Sequence, residues 1–254
     1  MNKVTKVSAI IAAGGSGSRL GKAEGKQLLE LCGRPVIYYS IKTIRPLVDE
    51  IILVIRHQDI DKAMSVFDID QGKDKEAYVN KIVAGGKTRT DSIRNALSLV
   101  SPDTDIVIIH DGARPFISAD IVKKSIFAAV KYGAAVVSVP VKDTIKYVDN
   151  KGFVKSTPDR ASLWAAQTPQ VFRYDIIKKV YDGNNSVELV QAELNAEHNK
   201  DNSLTKKLAG FTDDSSMAEA LGYRVHVVEG DYSNFKITTE EDLQMAEYIL
   251  NNNQ

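Results

Sequence analysis

The sequence predicts an α/β fold, a doubly wound and mostly parallel Rossmann-like sheet, and two observations carry that prediction. Short apolar runs recur at Val7 to Ala12, Glu50 to Ile55, Lys81 to Ala84, Asp105 to Ile109 and Ala134 to Val139. Helical patterns fall between most of them, and such alternation yields parallel strands joined by crossover helices. Asp111 closely follows one of these strands, at the carboxyl end where open α/β sheets bind ligands.

Lys3 and Lys6 ahead of Val7 to Ala13 imitate a signal peptide. The apolar run is short, includes Ser8 and leads straight into glycines rather than a cleavage-like site, so it reads as the first strand. Pro35 opens a helix that continues through Val36, Tyr39 and Ile44 until Pro46 stops it. Thr88 to Val100 and Ser118 to Tyr132 form further crossovers, the second with Ser118 as N-cap. From Val141 the pattern changes: Thr144 to Val148 and Phe153 to Ser156 flank Asp149-Asn150-Lys151-Gly152, a hairpin turn. This is an inserted β-hairpin arm at about 141–159. A helix from Arg173 to Tyr181, a polar break at Gly183 to Asn185 and an extra charged helical segment at about 187–208 follow. The expected ending is a strand at Arg224 to Val228, a short strand at Phe235 to Thr238, and a helix capped by Thr239 with Asp242 at its third position.

Composition narrows the function. The 33 basic residues equal the 33 acidic ones, so no global field draws the chain to nucleic acid or anionic lipid, and any anion site is local. Cys32 is the only cysteine, which excludes an internal disulfide and a multi-cysteine zinc site and fits a reducing, cytoplasmic location. No apolar run approaches the roughly 20 residues of a membrane-spanning helix.

The strongest local signal is Ala12-Ala13-Gly14-Gly15-Ser16-Gly17-Ser18-Arg19-Leu20-Gly21, with Lys26-Gln27 beyond. Glycines let backbone amides turn toward an anion, and Arg19 and Lys26 add charge. The dinucleotide fingerprint fails because Leu20 stands where its third glycine belongs, and the Walker spacing fails at both Gly-Lys pairs. By itself the loop is an anion-binding turn, or a solvent loop with two surface cations.

Four further segments accompany it. They are Gly85-Gly86-x-x-Arg89-x-x-Ser92, His110-Asp111-Gly112-Ala113-Arg114-Pro115-Phe116, Asp159-Arg160 with Leu163-Trp164-x-x-Gln167-Thr168-Pro169-Gln170-x-Phe172, and Thr212-Asp213-Asp214 with Gly230-Asp231-x-x-Asn234-x-Lys236. The glycine loop resembles that of nucleotidyltransferases acting on sugar and polyol phosphates. Together the segments resemble the 2-C-methyl-D-erythritol 4-phosphate cytidylyltransferases over nearly the whole chain, read as one domain.

The resemblance implies CTP and a small polyol phosphate as substrates, Mg²⁺ as cofactor and a homodimer joined through the arm. Arg19 and Lys26 would stabilise charge around the α-phosphate and departing pyrophosphate, with the amides of Ala13, Gly14, Gly15 and Gly17 holding the nucleotide. Gly86 and Ser92 would contact base and ribose, and Asp111 the Mg²⁺ or ribose. Thr144 and Arg160 from a neighbouring subunit's arm, with Lys236, would position the acceptor phosphate. Arg114 would face the acceptor or brace its turn, and Thr212 would contact the acceptor or cap the helix after it. Trp164 reads as packing, and His57, His198 and His226 lack metal-like spacing. His110 either tunes Asp111 or is satisfied within the sheet. The 40 residues from Phe172 to Thr212 exceed the family's expected length. Rivals are ribitol 5-phosphate cytidylyltransferase, disfavoured by Trp164 and Asp213-Asp214, and an inactive nucleotide-binding module, disfavoured by the joint presence of Arg19, Lys26, Asp111, Arg160 and Lys236.

Overall fold

The computed structural model describes residues 5–15, 26–67, 76–182, 211 and 213–252. Arg19, Gly17, Thr212, His198 and the 187–208 segment lie outside the described residues, as does the Lys26 side chain. The strands are β1 Val7–Ala13, β2 Glu30–Leu31, β3 Arg34–Pro35, β4 Glu50–Ile55, β5 Lys81–Ala84, β6 Ile106–Asp111, β7 Ala134–Pro140, β8 Tyr147–Val148, β9 Val154–Ser156, β10 Trp164–Arg173 and β11 His226–Glu229. The helices are α1 Val36–Ile44, α2 Ile60–Val66, α3 Arg89–Leu97, α4 Ala119–Tyr132, α5 Tyr174–Asp182, α6 Asp214–Ala220 and α7 Glu240–Asn252.

Seven strands form the central sheet in the order β11-β7-β10-β6-β1-β4-β5. The pairs β1 with β4, β1 with β6, β4 with β5 and β7 with β11 are parallel, so the sheet is mostly parallel, as its crossover helices require. Its strands are apolar on both faces. Ala9, Ile11, Ile51 and Leu53 pack with Ile37 and Ile41 of α1 and Ile121 of α4. Ile10, Ile52 and Val54 point the other way, to Ile93 and Leu97 of α3 and Ile177 of α5. This period of two, buried on both sides, makes these runs continuous blocks of isoleucine and valine. α7 closes a smaller cluster in which Leu243 and Ala246 meet Leu31, Val36 and Ile237.

Two elements differ from the expectation. The segment read as motif followed by a helix from Arg173 is a ten-residue strand, β10, antiparallel to both β6 and β7; Arg173 is its last residue and the helix starts at Tyr174. Its register shifts between Ala166 and Gln170, at the cis Thr168–Pro169 bond. Phe235 to Thr238 is not a strand. Ile237 N–H reaches the Ala113 carbonyl at 2.9 Å, while Thr238 is drawn into the α7 start, where its N–H and hydroxyl both bind Asp242 at 2.7 Å.

The start of α1 at Pro35 and the Ser118 cap of α4 are as the sequence reads. In the arm β8 pairs with β9 around a turn that Asp149 holds, its Oδ1 accepting from the N–H of Lys151 and of Phe153 at 2.9 Å. Gly152 sits there at φ +87, a conformation that suits glycine. Tyr147, Val148, Phe153 and Val154 of the arm are all more than half exposed. Among the described residues no helix is long and apolar enough to cross a membrane.

Candidate active site

Strand order reverses between β1 and β6: from β1 the chain proceeds through β4 to β5 on one side and returns to β6 on the other. The crevice at such a switch point lies beyond the carboxyl ends of the two strands. Ala12 of β1 is in register with Asp111 of β6, and Gly112 N–H binds the Ala12 carbonyl at 2.9 Å. The sequence therefore delivers the start of the glycine loop and the carboxylate to one place.

The loops of β1 and β5 meet there. A Cβ on Gly85 would stand 3.0 Å from Ser92 Oγ, and one on Gly14 3.4 Å from the same atom. At Gly86 a Cβ would come within 2.3 Å of the Asp91 Cβ, so only glycine allows the loop this close to α3. Asp91 is fixed in turn by a capping box with Thr88. Ser92 Oγ donates to the Thr88 carbonyl at 2.8 Å and accepts from Gly86 N–H at 3.0 Å, which makes it the brace of the loop. Ala13 is buried at the end of β1, and Gly14 and Gly15 follow it.

Asp111 is the electrostatic centre. Its Oδ2 accepts from Lys236 Nζ at 2.5 Å, and Arg89 Nη2 lies 3.8 Å from its Oδ1. Burial pushes this carboxyl up, but Lys236, Arg89 and Arg114 together outweigh burial and hold it down at about 2, so it is ionised. Arg89 also clasps Asp214 with both arms, at 2.9 and 2.7 Å, and the Tyr181 hydroxyl donates to the same fully buried carboxylate. Asp213, not Thr212, caps α6: its side chain accepts from Ser216 N–H at 2.9 Å.

Lys236 reaches Asp111 because the 234–236 segment is tied to the register shift in β10. Asn234 Nδ2 donates to Gln167 Oε1 at 3.0 Å and to the Thr168 carbonyl at 2.9 Å. Arg114 Nη1 donates to the Asn234 carbonyl at 2.7 Å, and Arg114 N–H to the Asp111 carbonyl at 3.0 Å. Arg114 therefore braces its turn and the Lys236 segment. His110 is fully buried and satisfied, with Nδ1 3.2 Å from Thr168 Oγ1 and Nε2 3.2 Å from the Arg114 carbonyl. Burial pushes its pKa down to about 4.

Thr144 and Arg160 are exposed on the arm. Arg160 Nη1 donates to the Lys142 carbonyl at 2.9 Å, and no hydrogen bond or ion pair among the described residues joins either to Asp111 or Lys236. Trp164 is 40% exposed where the arm enters β10, so it packs only in part. His57 lies in a short turn before α2, and His226 stacks on Tyr132 at 4.2 Å.

Sequence reasoning did not assign Arg89, Asp214, Thr168, Gln167 and Asn234 to the site. Their motifs were visible, but their pairings join residues as far as 125 apart. Among the described residues three buried side-chain atoms have no hydrogen-bond partner, Gln27 Oε1, Arg114 Nε and Asn234 Oδ1. All three belong to segments that form this crevice, and a Cβ on Gly15 would lie 3.4 Å from Gln27 Nε2.

A glycine loop at the switch point of a doubly wound sheet, with an ionised carboxylate ringed by three cations, defines a nucleotidyltransferase-type site. Residues 7–252 match the family profile of 2-C-methyl-D-erythritol 4-phosphate cytidylyltransferase, and the chain belongs to that family. The enzyme of that name from Clostridium perfringens (strain SM101 / Type A) is 41% identical over 96% of this chain and 99% of its own. That from Caldanaerobacter subterraneus subsp. tengcongensis is 42% identical, covering 96% and 98%. The crystal structure of 4-diphosphocytidyl-2C-methyl-D-erythritol synthase from Anaerococcus prevotii DSM 20548 superposes with a TM-score of 0.76 at 33% identity, covering 97% of this chain and 99% of that one.

Proposed function

We propose that this chain, a single nucleotidyltransferase domain with an inserted arm, transfers CMP from CTP to 2-C-methyl-D-erythritol 4-phosphate. The products are 4-diphosphocytidyl-2-C-methyl-D-erythritol and pyrophosphate, in non-mevalonate isoprenoid precursor synthesis. The observation that carries this reading is the Asp111 carboxylate at the switch point with Lys236, Arg89 and Arg114 around it, in a member of this family.

An oxygen of the acceptor phosphate attacks the α-phosphorus of CTP while the bond to the bridging oxygen breaks and pyrophosphate leaves. No covalent nucleophile is needed, so the protein positions two anions and stabilises charge. Arg19 and Lys26 act on the α-phosphate and departing pyrophosphate. Backbone amides from Ala13 to Gly17 hold the nucleotide, and the Gly86 loop braced by Ser92 receives the base. Lys236 leaves Asp111 for the acceptor phosphate, beside Arg114 and Thr212. Thr144 and Arg160 come from the arm of a second copy in a homodimer, for which the exposed Tyr147, Phe153 and Val154 offer an apolar contact.

The described residues include no cluster of three metal-ligating side chains. One ionised carboxylate nevertheless fits Mg²⁺, which keeps several waters and takes further ligands from phosphates. Asp111 would hold it, and the ion would neutralise charge on the triphosphate. The chain works in the cytoplasm, where its single thiol stays reduced.

The deciding experiment is pyrophosphate release from CTP and Mg²⁺ with methylerythritol phosphate, ribitol 5-phosphate or no acceptor. Release is expected with the first well above the other two. Equal release with all three, or none with the first, would refute the assignment.

A further inference from the structure

The hydrogen bonds through His110 admit one arrangement of protons. The Arg114 carbonyl oxygen can only accept, so Nε2, 3.2 Å away, carries a hydrogen. The ring is fully buried, and a buried imidazole is neutral unless an anion pairs with it. Neither ring nitrogen meets a carboxylate, because both are engaged by Thr168 and the Arg114 carbonyl. Nδ1 therefore presents a lone pair, and Thr168 Oγ1, 3.2 Å from it, donates. The same oxygen accepts the Asp111 N–H at 3.0 Å. One directed chain results: Asp111 N–H to Thr168, Thr168 O–H to His110 Nδ1, His110 Nε2–H to the Arg114 carbonyl.

The geometry points to His110 as a positioning residue that fixes the spacing between Asp111 and Arg114 through its two ring nitrogens, one acting through Thr168 and the other directly. It touches no substrate. This rests on the reading given above, in which Asp111 faces the nucleotide and Arg114 the acceptor. The turn between them is short, with Arg114 N–H on the Asp111 carbonyl at 3.0 Å, and His110 spans it from the buried side. Without that brace the Asp111 N–H keeps a Thr168 hydroxyl that is no longer oriented, and the Arg114 carbonyl keeps the Ser40 hydroxyl at 3.0 Å, while the strand pairing of Asp111 and the side-chain bonds to Lys236 and Asn234 hold the turn in place. Misplacement by about 1 Å costs roughly 10²-fold in such a reaction, and loss of a supporting partner costs about 10- to 100-fold.

The two nitrogens can be removed one at a time. In His110→Gln the side-chain amide reaches the Arg114 carbonyl but gives Thr168 no acceptor at the Nδ1 position. In His110→Asn the side-chain carbonyl takes the place of Nδ1 and leaves the Arg114 carbonyl without its partner. The expected pattern is crossed: His110→Gln raises KM for CTP about tenfold with the acceptor KM within about twofold, and His110→Asn does the reverse. Thr168→Val should follow His110→Gln, and Thr168→Ser should restore the native values. Parallel changes in both constants, or none, would overturn the proposal, since a purely structural role would move both together. Nitrogen-15 NMR of the native protein decides independently of any variant's folding: Nε2 protonated and Nδ1 bare is expected, and the opposite tautomer refutes it. Asp111→Asn and Arg114→Met separate the two levels of inference. If they fail to distinguish CTP from acceptor, the reading of the site fails and the tautomer alone judges the brace. If they distinguish them and the His110 variants do not, the brace alone fails.

Discussion

Arg89 holds Asp214 with two parallel hydrogen bonds of 2.9 and 2.7 Å, joining the first turn of α3 to the first residue of α6. Asp214 is fully buried and also receives the Tyr181 hydroxyl. Removing one member of a buried pair strands the other charge, at a cost of about 3–5 kcal/mol. Arg89→Ala, which strands the fully buried Asp214, should lower unfolding free energy in urea by that order. Asp214→Ala should lower it less, because the Arg89 side chain is 34% exposed and still faces Asp111. The double variant should lose less than the sum. Additive losses would show that the two do not act as a pair.

Lys236 stands in a different position. Its side chain is 37% exposed, so its contact with Asp111 contributes little to stability after solvent screening. Lys236→Ala should lower the urea midpoint only modestly, because Arg89 and Arg114 still face the Asp111 carboxylate, while kcat/KM for the acceptor falls about 10²-fold or more. A variant that unfolds easily but retains turnover would contradict this.

The acid limb of stability follows from His110 and Asp111. The folded pKa of His110 is about 4 against 6.5 for the free side chain, so the unfolded chain binds its proton first as pH falls. Stability is then lost progressively from about pH 6.5 down to 4, by roughly 3 kcal/mol in total. Asp111, held at about 2 against 3.8, extends the loss from about pH 4 to 2 with the same sign. Urea titrations at stepped pH should show the upper limb disappear in His110→Gln and the lower one remain.

The arm is expected to act across subunits. Phe153 is 70% exposed, and Phe153→Glu should convert dimer to monomer in sedimentation and abolish turnover together. Mixing Lys26→Ala with Arg160→Ala after subunit exchange should restore about one quarter of native activity, because half the dimers are mixed and one of their two sites is intact. No recovery would place each site within one chain.

Much of the fold was legible because its signals are local. The β4 and β5 runs stand at their expected positions and lengths, and α4 begins after its expected cap. β10 was not legible. Gln167, Thr168, Pro169 and Gln170 place polar side chains and a proline in mid-strand, which argues against a central strand. The shifted register and the side-chain bonds to Asn234, Asp111 and Asp213 accommodate them. The reverse error came at Phe235 to Thr238, where an apolar look concealed a segment tied to the Ala113 carbonyl through Ile237 and to the start of α7 through Thr238. In the site, glycines and cations were visible as types, and Asp111 was visible from its place on a strand. Arg89 with Asp214, and Lys236 with Asp111, are each 125 residues apart, and such pairings exist only once the sheet has formed.

β10 carries one further consequence. Its first residues pair with the end of β7 at the root of the arm, and its next ones bind Asp111 and Asn234. A residue inserted at the root would turn the following side chains to the opposite face. One inserted at the tip, around 149–152, would be absorbed by the turn. Length variation among homologues should therefore collect at the tip and spare the root, so that lineages can remodel subunit recognition while the chemistry stays in frame.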